Sequence, residues 1–136
     1  MSIKVEVGES HEAVIAEDLT RTALVQYAGA SGDYNPLHTD ERFATEIAGY
    51  PSVFAHGMLT MGMSGRVLTD WFGPEGLRAY GVRFVKQVFP GDTLTAKVTV
   101  TELHEVDGAR VAELEVETTN QDGDVVVRGT ATAALD

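Results

Sequence analysis

Two textures divide the chain. Beyond Gly76, apolar and polar positions tend to alternate, and Thr93-Leu94-Thr95-Ala96-Lys97-Val98-Thr99-Val100 repeats with the period of two expected of a half-buried strand. Val111 to Thr119 and Val125 to Ala134 alternate in the same way. Asp107-Gly108 and Asp122-Gly123 are hairpin-turn signals between such runs. Leu77 to Phe89 is a further candidate strand, closed by the turn signal Pro90-Gly91-Asp92. Before Gly76 the apolar spacing is helical. Arg21 to about Ala28 places Ala23, Leu24, Tyr27 and Ala28 on one face, with Thr20 as N-cap and Gly29 as the expected end. A short helix is expected from an Asp40 cap through Phe43 to Ile47, stopped by Gly49-Tyr50-Pro51. Val5 to Ile15 reads as two short extended pieces around Gly8-Glu9-Ser10.

From Gly57 to Gly65 no residue is charged, and the apolar residues between Gly57 and Phe72 keep to no single stripe. A helix apolar all round is a buried helix. Gly57, Gly62 and Gly65 each weaken it by about 1 kcal/mol relative to Ala, which suggests close approach of a sheet, a partner or a ligand. Gly73-Pro74 ends it. Four long antiparallel strands need one face covered, and one apolar helix is there to cover it. The expected fold is therefore α+β, a single domain over residues 1–136 with an antiparallel sheet wrapped around a central buried helix, the hot-dog arrangement.

The chemistry concentrates in Ala30-Ser31-Gly32-Asp33-Tyr34-Asn35-Pro36-Leu37-His38. On a continuous helix, side chains five apart diverge. Pro36 fixes its own φ and pushes Asn35 out of the helical region, so the chain bends between Asp33 and His38. Such a bend can bring an acid and an imidazole to one point.

Charge and composition narrow the partners. Asp and Glu number 21 against 10 Lys and Arg, a net charge of −11 that argues against sequence-independent nucleic-acid binding. There is no Cys, hence no disulfide, thiolate metal site or Cys nucleophile. The scattered His residues offer no metal-ligand set by spacing, and Met58, Met61 and Met63 read as core filler. No signal-peptide core or membrane-length apolar run is visible, so the expected location is the cytoplasm.

Tyr27 to Asp40, with Phe43-Ala44 after it, resembles the hydratase 2 motif of MaoC-like proteins. Ala55-His56-Gly57-Met58 resembles that family's entrance to the central helix, and Phe89-Pro90-Gly91-Asp92-Thr93-Leu94 its later turn. Ala55 to Gly62 and Trp71 look most like the catalytic subunits of (3R)-hydroxyacyl-ACP dehydratases of the mycolic-acid pathway. The resemblance implies a hydro-lyase that interconverts trans-2-enoyl and (3R)-3-hydroxyacyl thioesters of coenzyme A or acyl carrier protein in fatty-acid metabolism. It implies no cofactor, syn addition of water by an Asp33/His38 dyad, and a homodimer or a heterodimer with a related hot-dog subunit. A hot-dog thioesterase and a non-catalytic, tunnel-forming subunit are the alternatives; Asn-Pro-x-His speaks against the first and the presence of both Asp33 and His38 against the second.

The remaining roles follow from chemistry. Asn35 orients the loop, because its amide does not titrate. The first amides of the buried helix lack intrahelical acceptors and carry partial positive charge, so Gly57 is the candidate oxyanion donor. His56 is a weak N-cap and reads as a structural hydrogen-bonder beside that site. Ser64, about two turns on, is a candidate substrate contact that the resemblance suggests. Arg83 and Lys86 are candidates for the phosphates of the carrier, on opposite faces if their strand is regular.

Overall fold

A computed structural model describes residues 2–136. It holds five strands, β1 (Ser10–Ala16), β2 (Leu77–Phe84), β3 (Leu94–Val106), β4 (Ala109–Thr119) and β5 (Val125–Ala134), in one antiparallel sheet ordered β1-β3-β4-β5-β2. The helices are α1 (Arg21–Ser31), α2 (Pro36–Thr39) and α3 (Gly57–Phe72), with a π-helical turn at Phe43–Ile47. No helix of the described residues is long and apolar enough to cross a membrane.

The alternation of the last three strands explains the core. Ala96, Val98 and Val100 of β3 and Ala112, Leu114 and Val116 of β4 are buried, as are Ala131 and Ala133 of β5. Thr60, Ser64, Val67, Leu68 and Phe72 of α3 are buried too, at the three- and four-residue spacing of one helix face. Ser64 Oγ lies 2.6 Å from Thr118 Oγ1 of β4, which pins helix to sheet through a fully buried pair of hydroxyls. Full burial of a side chain such as Leu68 contributes about 1.5–3 kcal/mol.

Several boundaries depart from expectation. Gly29 does not end α1; the helix continues to Ser31, and Gly32 supplies the left-handed C-cap at φ 75. A single Gly inside a helix costs only about 1 kcal/mol, whereas a left-handed residue is what ends one. The Asp40 cap is found, with Phe43 N–H donating to Asp40 Oδ1 at 3.2 Å, although the turn beyond it widens to π spacing. Only one strand forms between Val5 and Ile15.

Helix α3 keeps the expected bounds but is not buried on every side. Met58, Gly62, Arg66 and Asp70, spaced by four, are exposed, and Met58 is 57% accessible. The sheet covers one face of α3 and leaves the other open. Strand β2 also stops early, at Phe84; Val85 and Lys86 N–H both turn to the Val126 carbonyl, at 2.8 and 3.3 Å. Lys86 is therefore outside the regular strand, and its side relative to Arg83 does not follow strand alternation.

Candidate active site

The loop after α1 is built from side chains that each capture the amide two residues on. Ser31 Oγ accepts from Asp33 N–H (3.2 Å), Asp33 Oδ1 from Asn35 N–H (3.2 Å), and Asn35 Oδ1 from Leu37 N–H (3.0 Å). Such Asx- and Ser-type turns are the local alternative to helical bonding. Asn35 sits at φ −54, ψ 127 as N-cap of α2, and Pro36 occupies the first helical turn, where its missing N–H costs nothing. Asn35 thus holds the loop in its bend.

The bend does bring acid and base together. A carboxylate oxygen of Asp33 and one nitrogen each of His38 and His56 lie within 4.8 Å of one another. Asp33 is exposed, His38 half-buried and His56 buried. Backbone carbonyls fix both tautomers, because a carbonyl only accepts. His38 Nδ1–H donates to the Phe54 carbonyl at 2.6 Å, leaving Nε2 as a free lone pair. His56 Nε2–H donates to the Asp33 carbonyl at 2.9 Å, leaving its buried Nδ1 without a partner. The two imidazoles stack, with centroids 3.9 Å apart and planes at 25°, and Tyr27 meets His56 edge-on at 4.9 Å.

This donor set does not suit a metal ion. The two imidazoles are stacked, and in-plane lone pairs on stacked rings run side by side rather than converging on one ion. What the arrangement suits is a water molecule held between a carboxylate and an imidazole, each about 2.8 Å away.

A cavity of about 230 Å³ contains the dyad, lined among others by Tyr27, Asp33, His38, His56, Gly57 and Phe84. Gly57 opens α3, and its N-cap His56 makes no side-chain capping bond. The first amides of α3 are therefore not satisfied by a cap, and the positive end of the helix dipole faces the dyad. A Cβ on Gly57 would stand 3.0 Å from three ring atoms of Phe84, so any side chain there would press on that ring.

Other expected residues lie elsewhere. Ser64 is occupied with Thr118 and does not line the cavity. Arg83 is cross-strand to Arg128 on the outer face of the sheet, in a row that continues through Glu117 and Lys97 to Glu12. Lys86 Nζ pairs with Asp124 Oδ2 at 2.6 Å; that carboxylate holds the ammonium above its usual range, and the lysine in turn holds Asp124 below its own. Tyr27, Met58 and Phe84 line the dyad cavity without having been foreseen. The signal for Phe84 was its place at the end of a strand that runs past the helix N-terminus; the Phe54 carbonyl left no signal.

The MaoC-like domain model matches residues 3–122. The chain belongs to the MaoC-like domain family. This MaoC-like chain is 35% identical over 100 residues to an (R)-specific enoyl-CoA hydratase of Rhodospirillum rubrum, covering 72% of itself and 69% of that protein. It is 44% identical over 75 residues to a 3-hydroxyacyl-thioester dehydratase of Mycobacterium tuberculosis, covering 53% of itself but 26% of that protein. It thus spans about a quarter of that relative's length. Among solved structures, an (R)-hydratase from A. caviae involved in PHA biosynthesis superimposes with a TM-score of 0.84 at 28% identity, over 97% of this chain and 98% of that one. The match confirms the hot-dog fold.

Proposed function

We propose that this MaoC-like chain is a hydro-lyase for acyl thioesters, interconverting trans-2-enoyl and (3R)-3-hydroxyacyl forms. The observation that carries the reading is that Asp33, His38 and the opening of α3 at Gly57 border one cavity. A thioester carbonyl resting on the Gly57 N–H would place its Cα–Cβ bond beside the dyad. Asp33 and His38 hold the water; its oxygen bonds to Cβ, the π pair moves onto the thioester as an enolate, and the dyad accepts the water proton. The enolate is stabilised by the helix amides, one such donor typically contributing ~3 kcal/mol. The dyad then returns a proton to Cα from the same side, so that H and OH add syn.

The expected outcome is hydration of crotonyl-CoA by the wild-type chain, with losses of about 10²–10⁴ in kcat for Asp33→Asn and for His38→Ala. Hydration that survives both substitutions, or thioester cleavage without hydration, overturns the reading. The named relatives act as hydratase and dehydratase, which supports this assignment. We further propose that a second hot-dog chain, a copy or a related subunit, covers the open face of α3 and the free edge of β2. An unpaired edge is an aggregation liability, and exposed Met58, Phe84 and Val85 gather around the same end of the molecule.

A further inference from the structure

A second cavity, of about 190 Å³, lies on the other side of Phe84 from the dyad. Phe54, Ala55, Val88, Val126 and Val127 line it, with Lys86 among its other residues. Of all the residues lining the two cavities, Gly57 and Phe84 alone are common to both. The Phe84 ring lies so close over Gly57 that three of its atoms stand 3.0 Å from the position a Cβ would take. Its side chain is also 53% exposed, so the ring is not locked into the core. It stands beside the residue whose amide would hold the thioester carbonyl.

We propose that Phe84 is the partition that sets acyl-chain reach. Resting on the reading of the site as an acyl-thioester hydro-lyase, the inference is that the hydrocarbon tail enters the second cavity only when this ring gives way. The lining decides the occupant. Its lining is mostly apolar and matches a hydrocarbon tail, whereas the two amides of a pantetheine arm would find only Thr60, Lys86 and Gln87 as polar side chains there. Short enoyl groups fit the dyad cavity with the ring in place; long ones must displace it. Phe84 is thus a specificity-determining residue on the border of the dyad cavity.

The test compares crotonyl-CoA with trans-2-dodecenoyl-CoA for wild type, Phe84→Ala and Phe84→Trp. The ratio of kcat/KM, long chain over short, rises about tenfold in Phe84→Ala and falls in Phe84→Trp. A second readout needs no turnover: calorimetric Kd values for the unreactive dodecanoyl-CoA and butyryl-CoA, where Phe84→Ala gains affinity for the long chain relative to the short. Thermal melts check that each variant is folded, which partial exposure of the side chain favours. Unchanged ratios in both readouts overturn the role of Phe84 while leaving the hydro-lyase intact. No hydration by wild type, together with the shift in binding ratio, upholds the partition and removes the hydro-lyase reading.

Discussion

His56 has two attachments that a nearby polar residue would not need. Its Nε2–H holds the Asp33 carbonyl, and its ring supports His38 by stacking. In the proposed reaction these contacts make it a positioning residue, since they would fix where Asp33 and His38 stand. A misplacement of about 1 Å at a reacting group can cost 10²-fold in rate. His56→Phe keeps the stack but loses the bond to Asp33; its kcat should fall about 10–100-fold with little change in KM. His56→Gln, which retains a donor, should recover part of that loss, whereas a merely space-filling role would favour Phe. Melting temperature should change little in His56→Phe, because the substitution also removes a buried, unpartnered Nδ1. Asp33, His38 and the bend between them were legible because Gly32 admits a left-handed φ that other residues resist, while Pro36 restricts itself and Asn35. The partner of Ser64 was not legible, because a serine on a buried helix looks the same in sequence whether it meets a ligand or a side chain such as Thr118.

Among the elements, α3 and the edge strand β2 are coupled by one tyrosine. Tyr80 O–H donates to the Met61 carbonyl at 2.8 Å, and its ring lies 3.2 Å from where a Cβ on Gly65 would be. Burial pushes the phenol up to about 12 from its ordinary 10.0. A group whose pKa is raised by folding stabilises the fold fully below the unfolded value and stops doing so as pH climbs through the folded one. Stability should therefore decline between about pH 10 and 12, and Phe at this position should flatten that part of the profile in denaturant titrations. At neutral pH, Tyr80→Phe should cost about 0.5–1.5 kcal/mol, as one hydrogen bond does. The helix bounds of α3 were readable from Gly57 and Gly73-Pro74, but its open face was not. Periodicity reports which residues are apolar, and the extent of a sheet's curl depends on contacts distant in sequence.

For the molecule as a whole, α3 has an exposed face and β2 is an edge strand of the sheet. Strand β2 carries Arg78 and Arg83 and no acid, in a chain of net charge −11. A copy or a related subunit paired there would restore the ladder and cover Met58. Size-exclusion chromatography with light scattering should give twice the 14.6 kDa chain mass for the protein alone, or that single mass plus the subunit's own for a mixture with a related subunit. A monomer that is active by itself would refute the assembly. The β3-β4-β5 pairing followed from strand alternation and hairpin signals, whereas the turn at Pro90-Gly91-Asp92 suggested β2 beside β3, and the sheet instead pairs β2 with β5 and β3 with β1. The pairing of chains lies beyond those local rules, since the apolar surface it uses is small and shared with the mouth of the cavity.

The groups that orient both imidazoles are main-chain carbonyls, those of Phe54 and Asp33. Replacing Phe54 by any amino acid leaves its carbonyl in place. The tautomer of His38 is consequently invisible to alanine scanning: side-chain mutagenesis will find the acid and the base but never the group that keeps the base's lone pair free. Only chemistry on the backbone can weaken that acceptor, or a shift of the whole segment between Pro51 and Gly57. Sequence drift at position 54 therefore spares this acceptor while removing the ring that meets His38 edge-on, and a one-residue deletion in that segment spares neither.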